Sequence, residues 1–275
     1  MAWVKVNQPE EAIQIVVRDC CRQHSVDTHS PVDIYIRHAR HVLTLGSPTE
    51  LEGSATLGRL LLLGLVTGVE TYFRTLLAGI LRQCPISQRV AAEQTLSYGS
   101  VRYYPKQGVE AALFENASFS SSKEIKRMTE KMLGVDISSA RSLMAAITEY
   151  ERICHLRHAA IHAHGALTSV NASAIGVPGE LAPASVSLEV GGLHGVARVC
   201  QSVVRAYNQE LYGRMIERWI GAGVLSGVWG KDKTNFSRLH WLFTSAEDGG
   251  VVDAKTAHVP VSAARRARAA QGAAV

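Results

Sequence analysis

Hydrophobic residues recur at helical spacing along most of the chain, and the polar residues between them mark where each run starts and stops. Ile13, Val16, Val17 and Cys20 keep a 3.6-residue period after Pro9, with Glu10 and Glu11 where a helix N-terminus favours acids. Ser30-Pro31-Val32-Asp33 is a second start signal, and Val32, Tyr35, Ile36, Ala39 and Val42 carry that helix to Gly46. Ser47-Pro48-Thr49-Glu50 has the capping-box pattern, which predicts a long helix from there to about Gln83, stopped by Pro85. Its apolar stripe runs Leu57, Leu61, Leu65, Val69, Phe73, Leu76, Ile80, and Leu60, Leu62, Leu63 and Val66 widen it nearly all round. Such a helix is buried on most sides. Glu70 and Arg74 sit inside it, four residues apart.

Shorter helical stretches follow near Gln88–Leu96, Val109–Asn116 and Ser122–Leu133, and Gly134 ends the last of them. Asp136 is placed to cap a long helix with Leu143, Ile147, Tyr150, Cys154 and Ile161 on its apolar side. After a Gly-, Pro-, Ala- and Ser-rich loop, Val186, Leu188 and Val190 alternate as a short strand would. A last long helix spans about Leu193 to Ile220, and beyond Gly221 the pattern breaks into short apolar patches and a basic end expected to be mobile. The fold these patterns predict is all-α, a bundle of three long helices with smaller ones between and at most a minor strand pair. It divides into an N-terminal helical extension at 1–50, a helical domain at 51–221 and a C-terminal extension at 222–275.

Charged residues make up 19% of the 275, below the roughly 25% of an average globular protein, which leaves apolar surface to hide and favours self-association. A net charge of +5 points weakly to a polyanionic partner. From Ala222 onward there are seven Lys/Arg against four Asp/Glu, with Arg265, Arg266 and Arg268 close to the end. Five cysteines, Cys20 and Cys21 adjacent, make neither a disulfide framework nor a CxxC zinc site. The first residues have no signal-peptide core, and the apolar run Leu60–Val69 is about half a membrane span, bounded by Arg59 and Glu70. A reducing, cytoplasmic setting without a membrane partner is the expectation.

The stretch Glu149 to Gly165, EYERICHLRHAAIHAHG, concentrates the chemistry. At about 100° per residue the apolar stripe through Tyr150 and Cys154 continues to Arg157. An arginine there is costly unless paired, and Glu70 is the expected partner. His162, five residues on, points about 140° away from Arg157. The two can serve one phosphate if the helix unwinds before Gly165, or if a second protomer brings its own pair across a shared cleft. Glu151, His155, His158 and His162 form another row on one face, but no Glu-x-x-His pair supplies a second ligand set, and no metal is expected.

Arg157-His158-Ala159-Ala160-Ile161-His162, followed by Ala-His-Gly, resembles the Arg-(four to six residues)-His motif of the HEPN superfamily, in which a polar residue often follows the arginine as His158 does here. The resemblance runs from about Leu57 to Ile220 and is nearest to the RNA-cleaving HEPN proteins of bacterial defence and toxin systems. It implies a metal-independent, cofactor-free endoribonuclease working as a homodimer on RNA. An antitoxin or accessory defence protein is a further partner it allows. It implies His162 as general acid/base, Arg157 as phosphate ligand, His158 as helper and Glu70 in support. A non-catalytic module that binds RNA, a nucleotide or a partner protein at the same cleft is the alternative.

Overall fold

The computed structural model describes residues 13–23, 27–104, 106–249 and 252–272. Its helices are α1 (Val17–Cys20), α2 (Pro31–Thr44), α3 (Pro48–Glu52), α4 (Ala55–Gln83), α5 (Pro85–Val90) and α6 (Tyr98–Tyr103), followed by a 3-10 stretch at Lys106–Phe114. Then come α7 (Ser122–Leu133), α8 (Arg141–His162), α9 (Ser169–Ile175), α10 (Val190–Gly221), α11 (Trp229–Phe243) and α12 (Ala254–Gly272). The protein is all-α. Among the described residues the only β pairing is one antiparallel bridge, Ala166 to Ser185, where Leu167 N donates to Ala184 O and Val186 N to Gly165 O. The predicted strand therefore shrinks to a single rung, because Val190 already belongs to α10.

Helix α4 is the axis of the fold. Leu62, Leu65, Phe73, Leu76, Leu77 and Ile80 are fully buried on it, and α2, α7, α8, α10 and α11 all pack around it. It is the one helix among the described residues long and apolar enough to cross a membrane, yet that apolar surface faces other helices. Glycines let α2 lie close: a Cβ on Gly64 would meet Val42 Cγ2 at 3.1 Å, and one on Gly68 would meet His38 Cδ2 at 2.6 Å. His38 uses this proximity to hydrogen-bond the Gly64 carbonyl at 2.9 Å. Phe73 lies at the centre, stacked on Phe119 at 5.2 Å and edge-on to Tyr207 at 4.8 Å.

Several starts and stops differ from the sequence reading for local reasons. Ser47 caps only the short α3, accepting from Glu50 N, and Gly53 interrupts before Ser54 caps α4 at Leu57 N. Asp136 accepts from Ser138 N in a turn instead of capping α8, which starts at Arg141 without a side-chain cap. Pro85 stops α4 as expected, with Cys84 extended before it. Residues Pro9, Glu10 and Glu11 lie outside the described residues, and α1 buries nothing.

The limits drawn at 50 and 221 are not breaks in the core. One continuous hydrophobic cluster takes in Val32 and Tyr35 from α2 and Phe236, Leu239 and Val261 from α11 and α12. Both flanks are integral because each contributes a buried apolar face to it. The basic end is helical as far as Gly272.

Candidate functional site

Burial along α8 fades towards its C-terminus. Leu143, Ile147 and Tyr150 are sealed, Cys154 is buried, Arg157 is half-buried, and Ile161 is 43% exposed. One side of the last turn still packs into the core through Ala159, but Arg157 has access to solvent and does not need a buried counter-charge. Among the described residues its side chain makes no ion pair or hydrogen bond. Glu70 is buried on α4 and faces Arg74 at 3.5 Å instead. The expected Glu70–Arg157 ion pair is therefore not formed, although α4 and α8 are neighbours as expected. Cys154 lies within the field of both: burial pushes its thiol up to about 12, Glu70 acts in the same direction and Arg157 opposes it.

Helix α8 is regular through His162, with Ala163 N and Gly165 N both donating to Ala159 O. Unwinding before His162 does not occur. Arg157 and His162 leave the helix about 140° apart. What the helix brings together is His158 and His162, both exposed, with ring centroids 4.6 Å apart. His155 in the same row is committed elsewhere, its Nδ1 3.0 Å from Asn171 Oδ1, which ties α9 to α8. The row is thereby split, and no group of three His, Cys, Asp or Glu suited to a metal exists among the described residues.

A second guanidinium reaches this end of α8 that sequence reasoning missed. After His162 the chain turns through His164 (φ +48°) and Gly165 (φ +95°), the left-handed region that favours glycine. A Cβ on Gly165 would stand 2.8 Å from Arg59 Nη1 and 3.3 Å from Val186 O. Arg59, near the start of α4, thus lies against the turn that ends α8. Its one sequence signal was a charge bounding an apolar run.

Two buried polar clusters lie away from this site. Asp33 accepts from Ser245 Oγ, Ala246 N and Glu247 N. Asp232 accepts from Ser226 and Gly227 and faces His258 Nε2 at 2.8 Å. Ser262 completes a serine–histidine–aspartate row, but its hydroxyl donates to Gly227 O at 2.7 Å and its oxygen is 3.4 Å from His258 Nδ1. The trio fastens α12 to α11, and its serine is already hydrogen-bonded. No family model, curated protein or solved structure matches the chain, so its class rests on the helical fold and this site.

Proposed function

We propose that the chain is a metal-independent endoribonuclease of the HEPN kind, acting in the cytoplasm as a homodimer in bacterial defence or as a toxin. The observation that carries this reading is the side-by-side placement of His158 and His162 at the exposed end of α8, with Arg157 half-buried on the same helix and no carboxylate holding any of them among the described residues. An imidazole titrates near neutrality and can take the proton of a ribose 2′-OH. That oxygen attacks phosphorus, the bond to the 5′-oxygen breaks, and the leaving oxygen is protonated. The products are a 2′,3′-cyclic phosphate and a 5′-hydroxyl. Arg157 binds the phosphate and the charge that grows on it. His158 sits beside His162 to orient it or contact RNA, and Arg59 adds positive charge to the cleft. In a dimer, Arg157 of one protomer and His162 of the other face one phosphate.

The regular course of α8 favours a second reading, because within one chain the pair diverges: a non-catalytic module that docks RNA, a nucleotide or a protein. Incubation of the purified chain with mixed RNA in EDTA separates the two. Cleavage is expected with RNA and not DNA, falling at least about 100-fold in His162→Ala and Arg157→Ala. No cleavage under any condition, or a need for added divalent metal, removes the nuclease reading. Sedimentation should give a mass near twice 29.8 kDa, and a monomer would remove the shared cleft.

A further inference from the structure

A cavity opens away from the end of α8. It has a volume of about 790 Å³, within the roughly 300–1,000 Å³ of small-molecule sites. Its floor is one face of α4 about three turns long, from Thr71 and Arg74 through Ala78 and Gly79 to Arg82. The two small residues in the middle leave the space, and an arginine stands at each end. Tyr104, Phe114, Ile34 and Trp241 also line it. Trp241 is 46% exposed, an unusual state for so large an apolar group, and it borders this opening.

The charges in the cavity are not equally available. Of its two carboxylates, Asp27 is held by His29 through its backbone N at 2.9 Å and its ring at 2.6 Å, and Glu115 accepts from Ser100 Oγ at 2.8 Å. Arg74 is fixed in place: Nη2 donates to Ala117 O at 2.9 Å, and the guanidinium lies 5.7 Å from the Phe119 ring centroid. Its contact with Glu70 is long at 3.5 Å, and most of its five N–H donors have no partner among the described residues. Arg82 is joined only loosely to Glu110, at 3.4 Å. A preorganised cation beside a floor of small residues and the exposed Trp241 ring selects a flat apolar body with one negative group.

We infer that this cavity is a binding site for a small planar aromatic anion, its ring system between Trp241 and the α4 floor and its carboxylate, sulfonate or phosphate on Arg74. The site is separate from Arg157 and His162, and it stands or falls independently of the nuclease reading.

The test is a fluorescence titration of the full chain with 8-anilinonaphthalene-1-sulfonate, which carries both features, against its uncharged relative N-phenyl-1-naphthylamine. One saturable site per chain is expected, with the sulfonate bound at least about tenfold more tightly than the neutral compound. Tryptophan quenching by the sulfonate should diminish in Trp241→Phe. Arg74→Gln and Thr75→Phe should each weaken the sulfonate about tenfold or more while melting cooperatively. Equal binding of the neutral compound to the wild-type chain, or non-saturating uptake, overturns the inference and does not depend on any variant folding.

Discussion

Asp33 illustrates how far one side chain's role can differ from its sequence signal. Beside Ser30 and Pro31 it reads as a first-turn acid, and its backbone N does donate to Ser30 Oγ at 3.2 Å. Its carboxylate, however, is buried and gathers three donors from residues 245–247. Burial alone would raise its pKa, but those hydrogen bonds outweigh burial and hold it below the ordinary 3.8. A depressed folded-state value means stability that is fully present above pH 3.8 and is lost as pH falls through the folded value. Asp33→Asn should cost about 2–3 kcal/mol at pH 7 and flatten the acid limb of a stability–pH curve measured by urea unfolding. An unchanged acid limb in that variant would sink this account. Arg157 differs in the other direction. Its position on the stripe implied a buried partner, but the stripe is buried only as far as Cys154, while Ala159 on another side of the helix stays in the core, and periodicity does not report where burial leaves a stripe.

At the scale of elements, glycines separate the contacts that matter from those that do not. Gly58, near the start of α4, faces Leu188: a Cβ would come 2.6 Å from its carbonyl oxygen, a backbone atom that cannot swing away. Gly213 lies in the interior of α10 with nothing within 4 Å of where a Cβ would stand. Gly213→Ala should therefore stabilise by up to about 1 kcal/mol through helix propensity, and Gly58→Ala should destabilise despite the same gain. Denaturant midpoints of the two variants decide it, and a stabilised Gly58→Ala would mean the 186–189 segment is not packed there. The long helices were legible because their apolar stripes persist over many turns, and α7 matches its expected span residue for residue. The region 85–116 was not legible, since its helices are one or two turns long and capped by single side chains such as Cys84 and Ser97. The end of α8 was legible in residue type, but the pairing of His158 with His162 and the approach of Arg59 depend on how elements meet in space.

Across the whole molecule, one hydrophobic cluster joins residues from Val32 to Val261 around α4. Composition pointed to separate flanking pieces because the apolar density drops after Gly221, yet Leu225, Phe236 and Leu239 in that stretch are fully buried. A shared core predicts one cooperative transition. Urea unfolding followed by tryptophan fluorescence and by far-ultraviolet circular dichroism should give superimposable curves. An early transition in one probe would show that a flank melts on its own.

The clasp between Asp33 and Ser245 spans 212 residues of sequence. During synthesis at about 5–20 residues per second, α2 waits roughly 10–40 s before the segment that buries its carboxylate has been made. Until then α2 and α4 can pack against each other, but Asp33 remains a solvated charge at the edge of an unfinished core. The last step of maturation is thus set by the ribosome's progress, and an arrested chain lacking residues 245–247 carries an open seam that a chaperone or protease can find.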